Sequence, residues 1–115
     1  MTPDNHTGNI FSGFTVPEAG ELFQEIIRSG NVMIERIVSS DIFTPAVYCQ
    51  AQDEWVIVLE GNACLEMEGR TCNLGKGDYV FIEAGVRHRV VSAEKGTLWL
   101  AVHIFPDDQM SSITT

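Results

Sequence analysis

From Val32 onward apolar and polar residues alternate in short runs, which turn residues interrupt about every eight to twelve positions. Side chains on a strand alternate between its faces, so this pattern predicts an all-β sandwich or barrel. The runs place strands at residues 32–38, 46–50, 54–60, 63–67, 70–74, 79–82, 87–91 and 97–105, with Gly61-Asn62 and Glu68-Gly69 as hairpin turns. Ahead of them Leu22, Phe23, Ile26 and Ile27 fall on one face at helical spacing. Pro17 and Glu18 suit a first turn and Gly30 a C-terminal cap, so a short N-terminal amphipathic helix is expected. Two strands are apolar on both faces. In 54–60, Val56 and Val58 oppose Trp55, Ile57 and Leu59; in 97–105, Leu98, Leu100, Val102 and Ile104 oppose Trp99, Ala101 and His103. Such strands must be covered twice, by the N-terminal helix, an extra strand or another subunit. The pattern favours a homodimer to which the N-terminal segment contributes.

A chain of 115 residues makes one domain. It divides into a flexible N-terminal segment at 1–12, a single domain at 13–108 and a C-terminal tail at 109–115. The apolar runs are too short to cross a bilayer, and the opening MTPDNHTGN lacks the basic start and apolar middle of a signal peptide, so a cytoplasmic protein without membrane contact is expected. Cys49, Cys64 and Cys72 show no CxxC spacing, which argues against a disulfide framework or a zinc knuckle. Cys64 and Cys72 flank the Glu68-Gly69 turn on facing strands and are expected to lie near one another. A formal charge of -9 with no basic stripe excludes nucleic acid as a partner.

Candidate chemistry gathers around GDYVFIEAGVRH, residues 77–88. A strand, a tight turn at Glu83, Ala84 and Gly85, and a returning strand put His88 and Val90 on one face and Arg87, Arg89 and Val91 on the other. The two arginines belong to solvent or a partner surface, so His88 points inward. It reads as a site residue or as a core histidine bonded to a carbonyl. Asp78 is expected to fix the turn after Gly77. Glu54 shares the face of Val56 and Val58, as a pocket carboxylate or as a solvated residue beside Asp53. Tyr48 and Gln50 share a face that Cys49 does not; they are assigned to the pocket and Cys49 to packing. His103 lines the same pocket or faces a subunit interface, and His6 sits inert in the tail.

The segments EWVIVLEGNACLEMEG, residues 54–69, and LGKGDYVFIEAGVRH, residues 74–88, resemble the two motifs of the cupin superfamily. The second motif, G-x5-P-x-G-x2-H-x3-N, is met by Gly77, Gly85 and His88, with Glu83 in place of proline and Ser92 in place of asparagine. The resemblance implies a small jelly-roll barrel with an interior pocket. It places Glu54 at the family's glutamate position, while the H-x-H region reads Val47-Tyr48-Cys49-Gln50, with both histidines missing. The chain is similar to small single-domain cupins with Tyr-x-Gln before Glu-Trp, some of them labelled mannose-6-phosphate isomerase-like, a fold-level analogy.

The expectation is a barrel that binds a small molecule in a pocket of Tyr48, Gln50, Glu54, Val56, Val58, His88 and His103, with no cofactor. One alternative is a metal-dependent isomerase or dioxygenase in which Gln50, Glu54 and His88 hold Zn²⁺, Mn²⁺ or Fe²⁺, a weak donor set beside three histidines. Another is a metal-free epimerase or isomerase with Glu54 and His88 as catalytic acid and base. A regulatory binding module without chemistry is the plainest reading.

Overall fold

The computed structural model describes residues 7–44 and 46–106. His6 and the tail at 109–115 lie outside the described residues. Eight strands follow one another: β1 (Glu21–Ser29), β2 (Val32–Ser39), β3 (Asp53–Glu60), β4 (Asn62–Met67), β5 (Arg70–Gly75), β6 (Tyr79–Ile82), β7 (His88–Ala93) and β8 (Thr97–Ile104). They form two antiparallel sheets, a five-stranded one in the order β1-β2-β8-β3-β6 and a three-stranded one in the order β5-β4-β7. The architecture is an all-β jelly roll.

The expected N-terminal helix is instead β1. Its residues pair with β2 from Glu21↔Ser39 to Ser29↔Val32, with a bulge between Glu25 and Ile27. That extra residue breaks period-two alternation, so Leu22, Phe23, Ile26 and Ile27 mimic a helical stripe. Gly30 is no helix cap. With φ at 56°, it turns the β1–β2 hairpin.

Of the two expected hairpin turns, Glu68-Gly69 is one. Both residues have positive φ, 48° and 77°, and Met67 pairs with Arg70 across them, as a two-residue primed turn requires. Gly61-Asn62 is different, because β3 and β4 belong to opposite sheets. Here the chain crosses the sandwich. Gly61 takes φ 95°, and a Cβ on it would stand 2.5 Å from Thr97 Oγ1. Thr97, fully buried, donates from Oγ1 toward the carbonyls of Asn62, at 3.0 Å, and Glu94, at 2.7 Å.

Residues 46–50 form no strand. Tyr48 makes an isolated antiparallel bridge to His88, each backbone N–H donating to the other's carbonyl at 2.8 and 2.9 Å. Cys64 pairs with Asn73 and Cys72 with Leu65, so the two cysteines face opposite sides of the small sheet and the expected proximity is not found.

The core between the sheets is Ile37, Val56, Val58, Ala63, Leu65, Leu74, Ile82, Trp99 and Ala101. Val56, Val58, Trp99 and Ala101 come from the inner faces of β3 and β8, the two strands apolar on both sides. Their outer faces carry Trp55, Ile57, Leu100 and Val102, continued by Ile34 on β2 and by Tyr79 and Phe81 on β6 through the cross-strand pairs Ile34↔Val102, Trp55↔Val102, Trp55↔Phe81, Ile57↔Leu100 and Ile57↔Tyr79. The N-terminal segment covers one end of this outer face. Arg36 holds it there, donating to the carbonyls of Ile10, Ser12 and Gly13 at 3.2, 2.6 and 3.3 Å, with its guanidinium 4.8 Å from the centre of the Phe14 ring.

Candidate functional site

Between the sheets a cavity of about 130 Å³ opens toward solvent. Its polar wall is Glu21, Glu35, Tyr48, Gln50, Glu54, His88 and His103, and its apolar wall includes Phe23, Ile37, Val56, Leu65, Ile82, Val90 and Trp99.

Glu54 reaches the cavity from the inner face of β3. It pairs across the sheet with His103 on one side and Ile82 on the other, and keeps the parity of Val56 and Val58. Val58 lies deeper, fully buried in the core away from the cavity wall. His88 opens β7 on the opposite sheet. The turn before it is tied down from both sides: the Gly85 N–H donates to the Gln50 carbonyl at 2.8 Å, the Ala84 N–H to Asp53 Oδ1 at 2.8 Å, and the Val86 N–H to the Glu83 carbonyl at 3.1 Å. These bonds position the start of β7 against the start of β3. Both Glu54 and His88 are more than nine-tenths buried, at 7% and 8% exposure.

The His88 ring has a defined tautomer. Its Nδ1 lies 3.0 Å from the Val86 carbonyl, which can only accept, so Nδ1 carries the proton and donates. In the neutral ring Nε2 is then an acceptor, and no protein group among the described residues bonds to it. Tyr48 stands beside it, half exposed at the cavity mouth, with ring centroids 6.0 Å apart. Gln50 is engaged within the wall: its Nε2 donates to Glu54 Oε1 at 2.8 Å.

His103 lies in a second polar group. Its Nε2 is 3.0 Å from Glu35 Oε1 and its Nδ1 is 3.2 Å from Gln52 Nε2. A neutral ring that donates from Nε2 to Glu35 and accepts from the Gln52 amide satisfies both. Burial alone would lower the His103 pKa, but the bond to Glu35 and the charges of Glu54 and Glu35 outweigh it and raise the value above 6.5. Glu21 completes the wall. Ser39 Oγ donates to its Oε2 at 2.6 Å and itself accepts from Trp99 Nε1 at 2.8 Å. Burial raises the Glu21 pKa, the Ser39 bond lowers it in part, and the charges of Glu54 and Glu35 push it up further.

The structure thus brings Tyr48, Gln50, Glu54, Val56, His88 and His103 to one cavity, and adds Glu21, Glu35, Phe23 and Trp99, which the sequence reading missed. Glu35 had a signal: it shares the inner parity of Ile37, and a carboxylate on a strand flanked by apolar residues needs a buried partner. Glu21 had none, because its segment reads as a helix.

A divalent metal fits this wall poorly. The Gln50 amide turns its nitrogen, a donor, toward Glu54, since an amide oxygen there would face a carboxylate oxygen. Of the expected set that leaves the Glu54 carboxylate and the His88 imidazole, and among the described residues no three His, Cys, Asp or Glu side chains converge on a point where they could hold a metal ion.

Comparison with known proteins places this architecture. Residues 44–103 match the cupin domain family. A protein of Ralstonia eutropha JMP134, provisionally named a mannose-6-phosphate isomerase, is 35% identical, and its crystal structure superposes with a TM-score of 0.78 over 87% of this chain and 98% of that one. KdgF of Halomonas sp. is 18% identical, with a TM-score of 0.71 over 86% of this chain and 93% of its own. An RmlC-like cupin of Shewanella frigidimarina NCIMB 400 is also 18% identical, with a TM-score of 0.68 over 79% and 81% of the two chains. Among curated proteins none matches the chain. Two facing antiparallel sheets, an interior cavity with the second-motif histidine on its wall, and a family match over more than half its length make this chain a member of the cupin superfamily.

Proposed function

We propose that the protein binds a small molecule in the cavity between its sheets, without a metal, and that Tyr48, Gln50, Glu54 and His88 supply the polar contacts against walls of Phe23, Val56 and Trp99. One observation carries the reading: Glu54 and His88 come from opposite sheets to one cavity, where His88 presents an acceptor, Nε2, that no protein group occupies. The atom is not sealed off from the cavity, so a donor on an entering ligand can reach it. The placement of Tyr48 at the mouth suits a residue that closes over a ligand.

The provisional name of the Ralstonia relative would make the ligand a phosphorylated hexose. No lysine or arginine lines this cavity, so the group that would pair with a phosphate is missing from its wall. The ligand class is therefore argued from the cavity itself.

The outer face of the five-stranded sheet supports a homodimer. Tyr79 and Phe81 are 64% and 49% exposed beside Trp55 and Ile57, an apolar surface that a second copy of the sheet would cover.

A thermal-shift screen of untagged protein against a library of metabolites, with metal content measured on the same preparation, tests the reading. The expected result is a ligand that raises the melting temperature of the wild type and not of Glu54→Gln or His88→Asn, with transition metal well below one per chain. Stoichiometric zinc, manganese or iron that is lost in both variants would replace this reading with the metal-dependent one.

A further inference from the structure

We infer that the cavity selects a small organic cation, a protonated amine on a compact apolar body, over neutral and anionic ligands of the same shape. The inference rests on the binding reading above and names the chemical class of its ligand.

The first ground is charge. Three carboxylates, Glu21, Glu35 and Glu54, line the cavity, and no lysine or arginine does. Glu35 is bonded to His103, whose ring can take a proton to balance it. Glu21 and Glu54 have only neutral partners, the Ser39 hydroxyl and the Gln50 amide. Carboxylates held between two sheets lose hydration, and the charge that the His103 ring can take balances only one of the three. Burial first, and then the charges of Glu54 and Glu35, raise the Glu21 pKa, in keeping with a carboxylate short of a counter-charge. A ligand cation would correct that shortage, and a phosphate or carboxylate would worsen it.

The second ground is independent of charge: it is the polarity of the open hydrogen-bond positions. His88, more than nine-tenths buried, directs its ring into the cavity with Nδ1–H committed to the Val86 carbonyl and Nε2 open as an acceptor. The Trp99 N–H is spent on Ser39, and the Gln50 amide donates to Glu54. What remains to meet a ligand is dominated by acceptors, so the ligand must bring donors. A primary ammonium brings three. The aromatic faces of Phe23, Tyr48 and Trp99 on the same wall suit both the apolar body and the cation.

Two matched sets of probes test this by calorimetric titration of the full chain: 2-phenylethylamine, 2-phenylethanol and phenylacetate, then glucosamine, glucose and glucose 6-phosphate. The amine should bind at least about tenfold tighter than its neutral counterpart in one set, with no detectable binding of the anion. Glu54→Gln and Glu21→Gln, each checked for folding by its melting temperature, should narrow that preference. A neutral or anionic member binding as tightly as the amine overturns the inference, and so does the failure of both amines to bind. The binding reading itself fails separately, when no compound of any charge in the wider library shifts the wild type.

Discussion

At the scale of single residues, the polar wall is set by which lone pairs and protons are already spent. His88 donates from Nδ1 and keeps Nε2 open; Gln50 is bonded to Glu54; His103 is held between Glu35 and Gln52. The last of these has a pH signature. The folded-state pKa of His103 is raised, so the stability it contributes is fully present below 6.5 and is lost as pH rises through the higher folded value. Glu35→Gln removes the charge that raises it and leaves a neutral bond in place of a charge-assisted one. The wild type should exceed this variant by about 1–2 kcal/mol in urea unfolding below pH 6, and the gap should shrink as pH rises past neutrality. The Glu35 charge also contributes to the raised pKa of Glu21, so the variant loses that part of the shift too, and the loss narrows the gap in the same direction as pH rises. A gap that is constant with pH would show that the Glu35–His103 contact does not depend on protonation.

At the scale of elements, the chain is held where strands change sheets. Gly61 combines a left-handed φ with an approach to Thr97 that leaves no room for a Cβ. Gly61→Ala is expected to cost about 3 kcal/mol, by backbone strain and by displacement of Thr97 from its carbonyl partners. Denaturant unfolding measures it, and a loss under about 1 kcal/mol would mean that the crossing relaxes easily. Seven of the eight strands are legible in the alternation of the sequence, because each has one face on the core. The exception, β1, is an edge strand whose bulge at Glu25–Ile27 shifts the alternation and whose Phe23, Ile26 and Ile27 remain about half exposed, so its period resembles that of a helix. That error also hid Glu21. The inward parity of Glu54, His88 and Val56 was readable, since a regular strand fixes it. Tyr48 and Gln50 depend on an isolated bridge, where parity is a weaker guide.

At the scale of the whole molecule, the same five-stranded sheet has two apolar sides with different uses. Its inner side closes the core and bears the cavity. Its outer side, from Ile34 through Val102 and Trp55 to Phe81, is covered in part by the N-terminal segment that Arg36 anchors, and we propose that a second copy covers the rest. Sedimentation velocity is expected to give a dimer for the wild type and a monomer for Phe81→Lys, which would place a charge in the centre of an apolar contact. A wild-type monomer across the micromolar range would exclude the dimer.

The central claim is that Glu54 and His88 meet a common ligand in one cavity, and side-chain ¹⁵N NMR of His88 during titration with a ligand found by the thermal-shift screen tests it most directly. The Nε2 resonance is predicted to move in step with the binding isotherm, and to stay in place in Glu54→Gln at the same ligand concentration. Saturation of binding with the His88 Nε2 resonance unchanged in the wild type would contradict the account.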